Sequence, residues 1–425
     1  MRVAFIVSDF PILSETFIIN QIVGLIERGH EVDIYADYKG DLNKVHPDVE
    51  KYALLKRTYY LPEISENFLA RIFNGLFIFL KNILQNPFLT LRSLNFFKYG
   101  KSAIYLYLLY STIPNLSKTY DIIHCQFGTL SFRGMAFRIM HSPDAKLITT
   151  FRGYDISSFV ETKGRDIYSE LFKSGDFFLA NCDFFKPRVI ALGCNPKNIV
   201  VHRSGLDCNK FPFAFRYPSA DGKIRIATTG RLVEKKGIEY AIRAVAQLAK
   251  THSNLEYNII GDGELKFELQ QLIDELNVGN IVNLVGWKNE QEIREILDIS
   301  HLFIAPSVTA ADGNQDAPIN VLKEAMAMGL PVISTYHGGI PELVEDGVSG
   351  YLVPERDTDA LAQKLGYLLE HPESWTEMGQ AGRNYVEKHY DLHTLNDQLV
   401  KIYQQLLNDV ALSEACQKQI SSGYI

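Results

Sequence analysis

The sequence predicts an α/β protein made of two doubly wound domains that face each other across a cleft. Three observations carry this expectation. Short β-branched runs alternate with amphipathic stretches along most of the chain, the pattern of parallel βαβ units. That alternation completes one series, breaks at a turn-rich segment and starts again. The 425 residues are too many for one ordinary core and suit two domains of roughly 200 residues each.

In the first series, strands are expected at 3–7, 31–35, 121–125, 146–150, 177–181 and 199–202, with an amphipathic helix over 15–28 that ends at Gly29. The opening run could be mistaken for a signal peptide. Its apolar core is short, however, and Ser8 and Asp9 stop it, so a buried first strand is the better reading. The second series places strands at 223–228, 256–260, 281–285, 302–305 and 331–334. Its helices are expected over 237–250, 265–276, 291–299 and 321–328. The join falls in 208–220, which carries Pro212 and Pro218. The expected domains are therefore 1–207 and 208–388. A tail, 389–425, contains a helix over 392–407 that crosses back onto the first domain.

A hydrophobic insertion at 60–115 interrupts the first series. Its stretch 68–110 is rich in Phe, Leu and Tyr, holds Arg71, Lys81, Arg92, Lys98 and Lys101, and has no acidic residue. Two readings stand. It is a pair of core helices under the first domain, or an aromatic, basic surface for a membrane or a lipid-linked acceptor. Arg71 and Lys81 interrupt the longest apolar run, and a spanning helix needs about 18 uncharged apolar residues. An integral membrane protein is not expected.

Composition narrows the function. A net charge of -7 gives no support to nucleic-acid binding. The five cysteines, Cys125, Cys182, Cys194, Cys208 and Cys416, include no C-x-x-C pair. They read as reduced thiols of a cytoplasmic protein, with neither a disulfide framework nor a zinc site.

Four motifs follow strands in the second series. Gly230-Arg231-Leu232-Val233-Glu234-Lys235-Lys236-Gly237 is a strand–turn–helix junction. Its backbone N–H groups, helix dipole and cations suit a diphosphate; taken alone it is also a solvated basic turn. Gly261-Asp262-Gly263-Glu264 lets backbone approach a ligand, or simply makes a tight turn. Asp316 lies in a loop and Glu324 on the helix after it, with Asn320 between. Both carboxylates can accept hydroxyl donors, and both can equally be surface or helix-start residues. His337-Gly338-Gly339-Ile340-Pro341-Glu342 can cradle a phosphate.

In this order and strand context the four motifs resemble the family-4 (group 1) glycosyltransferases, whose architecture is the two-Rossmann GT-B fold. Gly347–Pro354 (Gly-Val-Ser-Gly-Tyr-Leu-Val-Pro) extends the match. The N-terminal wording Phe10-Pro11-x-x-Ser14-Glu15-Thr16-Phe17 resembles members that build capsular or exopolysaccharide chains. The resemblance implies a retaining, metal-independent transferase with no cofactor. Its donor would be a UDP-sugar or GDP-sugar, and its acceptor a polysaccharide or lipid-linked oligosaccharide. It implies that Arg231 and Lys236 hold the diphosphate, Glu324 the ribose and Asp316 the sugar hydroxyls. Gly230, Gly261, Gly263, Asn320, Gly338, Gly339 and Glu342 would line the donor. Ser14, His124, Gln126 and Arg152 would face the acceptor or the donor sugar. The implied location is cytoplasmic, peripheral on the inner face of the plasma membrane.

The chain departs from the family at three places. Asp316 stands where a glutamate is usual. His124-Cys125-Gln126 replaces His-x-His, and Arg152 replaces a histidine in Thr150-Phe151-Arg152-Gly153. These departures keep two other readings open: a pseudo-glycosyltransferase that binds a sugar nucleotide without turnover, and a GT-B sugar-nucleotide epimerase.

Overall fold

The computed structural model describes residues 1–12, 15–42, 45–114 and 116–408. The first sheet has strands β1 (Arg2–Phe10), β2 (Glu31–Lys39), β3 (Thr58–Tyr60), β4 (Ile122–Cys125), β5 (Lys146–Phe151), β6 (Phe177–Ala180) and β7 (Ile199–Val201). They lie in the order β3-β2-β1-β4-β5-β6-β7, all parallel. The second sheet has β8 (Ile224–Thr229), β9 (Leu255–Ile260), β10 (Val282–Gly286), β11 (Leu302–Ala305), β12 (Val332–Thr335) and β13 (Gly350–Val353). Their order is β10-β9-β8-β11-β12-β13, again all parallel.

Helices cover both faces of each sheet, so successive residues of a strand enter opposite cores. In β1, Ala4 and Ile6 join Ile123, Leu147 and Phe178 on one face. Val3, Phe5 and Val7 join Ile122, Ile148 and Leu179 on the other. In β8, Ile226 and Ala227 divide in the same way. The strand order reverses between β1 and β4, and between β8 and β11. Doubly wound sheets bind ligands beyond the strand ends at such points. The loops at these points are those after Phe10, Cys125, Thr229 and Ala305.

Two edge strands, β3 and β13, were not expected. Each is short, and β13 opens on Gly350 without an alternating pattern. Helices Thr358–Glu370 and Trp375–Tyr390 were also missed; charged residues throughout the second blur its stripe.

After β7 the chain passes to the second domain, and it returns after Tyr390. The two crossings run side by side, with Leu206 N–H donating to Tyr390 O (2.8 Å) and Leu392 N–H to Leu206 O (3.1 Å). Asp391 caps the helix Leu392–Leu407 by accepting from Thr394 N. Leu399, Ile402 and Tyr403 of that helix lie in the core of the first domain. Arg28 holds it from outside through Asp397, at 2.6 Å.

The insertion folds as five helices: Phe68–Gln85, Pro87–Ser93, Phe96–Tyr99, Lys101–Ile104 and Tyr107–Tyr110. Asn67 caps the first, and Asn86 with Pro87 starts the second. The core-helix reading fails for the first two, because their buried residues are Arg71, Gly75, Asn82, Thr90 and Ser93. Arg71 and Lys81 interrupt the uncharged apolar run as expected, but they do not end the helix. The 18-residue helix Phe68–Gln85 runs through both and is long and apolar enough to cross a membrane by length and composition.

Candidate active site

The second domain brings its motifs together at the ends of β8, β11 and β12. Gly230 N–H donates to Ile260 O (2.9 Å) and Leu232 N–H to Asp262 O (3.0 Å), which lays the first two motif loops against each other. Gly261 makes this possible: its φ is +145°, and a Cβ there would sit 1.9 Å from Gly230 O. Gly261 and Gly263 thus shape the loops. Arg231 projects from them, exposed and without an ion pair among the described residues.

Lys235 and Lys236 lie in a 3₁₀ turn closed by Gly237. Both ammonium groups reach Asp316: Lys235 Nζ is 2.9 Å from Oδ1 and Lys236 Nζ is 2.7 Å from Oδ2. Asp316 is buried. Burial works against its charge, but Lys236 and Lys235 outweigh it and hold the carboxyl well below the usual carboxylate range. Burial in turn lowers the Lys236 ammonium, and Asp316 opposes that. Asp316, expected to meet sugar hydroxyls, has both oxygens engaged by lysines here. It positions two lysines.

A second layer fixes Asp316. Its N–H donates to His337 Nε2 (2.9 Å), and His337 Nδ1 lies 2.6 Å from Glu355 Oε1. Nε2 accepts, so Nδ1 carries the proton and donates to the carboxylate. Burial disfavours the Glu355 charge, yet Thr309 N–H and His337 hold its carboxyl below the usual value. Gly338 packs on the Asp316 carbonyl, where a Cβ would come within 2.0 Å, and Gly339 N–H donates to that carbonyl at 3.0 Å. The two glycines thus seat Asp316.

Glu324 lies half-buried on the helix Asn320–Ala327, and its carboxylate has no hydrogen-bond partner among the described residues. Burial, then the charge of Glu290, push its carboxyl up to about 7, and Lys323 opposes them. Asn320 Oδ1 accepts from Lys323 Nζ (3.0 Å), which also donates to Ser204 O across the domain junction at 2.8 Å. Glu342, expected to line the donor, bridges the two domains. It accepts from Asp183 N (2.9 Å) and Phe184 N (2.6 Å) and pairs with Arg203 at 3.0 Å, latching the second domain to the first.

The first domain behaves differently. His124 is fully buried between Tyr403 Oη at 2.6 Å and Thr150 Oγ1 at 2.7 Å, and burial holds it well below its ordinary pKa. It is a neutral core histidine, which corrects its expected place in the site. Gln126 is buried too; its Oε1 accepts from Arg152 Nη2 at 2.6 Å. Arg152 also donates to Gln126 O (3.0 Å) and Ser204 Oγ (3.1 Å), and it lies 4.2 Å over the Phe17 ring. Burial pulls its guanidinium down to about 10 against Asp155 and Glu15, so it stays cationic at neutral pH. Ser14 lies outside the described residues.

Sequence reasoning gave no individual role to Lys235, His337, Glu355 or Glu15. Lys235 lay inside a recognised motif; Glu355, far along the chain, carried no signal. Glu15, just before the helix Thr16–Glu27, has an Oε2 that is buried without a partner. Burial pushes its carboxyl up to about 7, Arg152 and Arg231 oppose this, and Asp9 adds to it. Glu15 thus feels a cation from each domain.

Two parallel doubly wound domains, latched together with a cationic cluster at the strand ends of the second, define the GT-B class of protein. Family models match both halves: "Glycosyltransferase Family 4" over residues 14–210 and "Glycosyl transferases group 1" over residues 210–385. The chain belongs to this glycosyltransferase family. It is 35% identical over 411 residues to the amylovoran biosynthesis glycosyltransferase AmsK of Erwinia amylovora, covering 96% of this chain and 100% of that protein. It is 34% identical over 412 residues, with the same coverage, to WcaL of Salmonella typhimurium, a protein assigned to colanic acid biosynthesis. In fold it is similar to Anabaena Alr3699/HepE, solved with UDP and glucose, with a TM-score of 0.69 and 18% identity over 95% of this chain and 100% of that one.

Proposed function

We propose that the protein is a retaining glycosyltransferase of exopolysaccharide assembly. It moves a sugar from a nucleoside-diphosphate donor to a polysaccharide or lipid-linked oligosaccharide. The observation that carries the reading is the cluster of Arg231, Lys235 and Lys236 at the β8–β11 switch point, with the two lysines preorganised by Asp316. Cations fixed where a diphosphate leaves stabilise the transition state, and these side chains supply that charge without a metal ion. Glu324, unpartnered, is free to accept the ribose hydroxyls. Glu15 and Arg152 lie on the first-domain side, where the acceptor enters. The UDP complex of the Anabaena protein and the names of AmsK and WcaL support the donor class and the pathway. Retention follows the family resemblance.

A panel of sugar nucleotides, each incubated with a membrane extract as acceptor source, tests the proposal. A new glycoside whose anomeric configuration matches the donor's is the expected product, with EDTA causing no loss. An epimerised donor, or tight binding with no product from any donor, would replace the proposal with one of the two other readings.

A further inference from the structure

An amphipathic helix in a water-soluble domain turns its apolar stripe to the core. The helices Phe68–Gln85 and Pro87–Ser93 do the reverse. Their polar side faces the protein: Arg71 Nε donates to Ser65 O (2.8 Å) with its guanidinium 5.2 Å over the Tyr107 ring, and Asn86 Nδ2 donates to Pro114 O (3.2 Å). Arg92, at the end of the second helix, reaches Ile139 O at 3.0 Å. Outward point Leu69, Phe73, Phe77, Leu80 and Leu84, spaced by three and four residues and so forming one stripe. Leu84 is 87% exposed, and Phe97 on the following short helix is 90% exposed. A contiguous apolar face of this kind marks an interaction site.

Charge identifies what covers it. The chain carries a net -7, yet the stretch 68–110 has no acidic residue. Its Lys81, Lys98 and Lys101 are exposed and form no ion pair among the described residues. Apolar side chains bordered by lysines match an anionic phospholipid surface. A second copy of this chain would set the same lysines against one another. We propose that this face seats the first domain on an anionic bilayer, with the helix Phe68–Gln85 lying along the headgroup boundary. The bonds of Arg71 and Asn86 tie the two helices to the rest of the insertion and that of Arg92 ties them to Ile139 of the domain, so the first helix lies on the membrane and does not cross it. The inference deepens the acceptor side of the proposed function, since a lipid-linked acceptor is met at such a surface. It does not depend on which sugar is moved.

The test uses the full chain and two single-tryptophan additions, Phe77→Trp on the face and Phe267→Trp on an exposed site of the second domain. Each is read as a difference spectrum against wild type. With phosphatidylglycerol-containing vesicles at low salt, the tryptophan at 77 should shift to the blue and be quenched by brominated lipid, and the one at 267 should do neither. Vesicle partition should fall about tenfold or more in Phe73→Glu/Phe77→Glu. It should fall about tenfold or more in Lys81→Glu/Lys98→Glu/Lys101→Glu, with rising salt doing the same to wild type. Unchanged circular dichroism melts confirm that the variants fold. An absent shift at every ionic strength, or equal shifts at 77 and 267, overturns the proposal. So does a concentration-dependent shift without vesicles that tracks a dimer in light scattering, which would make the face a contact between copies.

Discussion

The two sides of the cleft carry charged groups in opposite conditions. On the first domain, Arg152 is locked by Gln126, Ser204 and the Phe17 ring, and His124 is sealed in the core. On the second, Arg231 is exposed and Lys235 and Lys236 share one carboxylate. A bonded, buried cation has little left to offer a ligand, whereas a cation beside a displaceable or shared anion is ready for a phosphate. Motif residues of one family are thus locked into the scaffold on one domain and left as accessible or shared cations on the other.

The largest expected effect comes from breaking the lysine clamp. Asp316→Ala leaves two largely buried ammonium groups unpaired, which costs about 3–5 kcal/mol of stability. An added nucleoside diphosphate should then raise the melting temperature more in the variant than in wild type, because its phosphates take the place of the carboxylate. Equal gains would mean that the lysines do not meet the diphosphate. Next is Lys236→Ala, which should keep the fold and lower kcat about a hundredfold or more, roughly 3–4 kcal/mol of transition-state stabilisation. Near-normal turnover in a folded variant would remove Lys236 from the mechanism.

Glu324 gives a smaller, pH-dependent effect. Burial pushes its carboxyl up to about 7, so it is protonated below that pH and is a full acceptor only above it. kcat/KM for the sugar nucleotide should fall as pH drops through about 7, and Glu324→Gln should flatten that limb while lowering the high-pH value about tenfold or more. An unchanged acid limb in Glu324→Gln would assign it to another group, Glu15 first. The smallest effect on turnover belongs to His124→Gln. It should lower the melting temperature, because Tyr403 and Thr150 lose their shared partner, yet leave kcat within about threefold in the fraction that stays folded. A collapse of kcat with an intact melt would return His124 to the site.

Much of this was legible in the sequence because periodicity and turn chemistry act locally. The buried strands stood out as β-branched runs, and the second-domain motifs each followed one of them. What was hidden depended on long-range contacts. The Asp316 departure was visible, but not that both its oxygens face lysines eighty residues earlier in the chain. His124 read as a candidate because a strand-end histidine looks the same whether it meets a ligand or Tyr403, 279 residues away. Glu342 sat in a phosphate-like motif, and only the fold shows it bonded to the other domain. The stripe of the helix Phe68–Gln85 was readable as amphipathic, but the pattern does not say which face turns inward.

The central claim is that the cations of the second domain hold the donor. Its most direct test is the thermal stabilisation of wild type and of Arg231→Ala/Lys236→Ala by a panel of nucleoside diphosphates, with Arg152→Lys beside them. At a hundred times its dissociation constant, the matching diphosphate should stabilise wild type by about 2.7 kcal/mol. Arg152→Lys should keep that gain and Arg231→Ala/Lys236→Ala should lose nearly all of it at the same concentration, with EDTA changing neither result. A full gain in Arg231→Ala/Lys236→Ala would contradict the account.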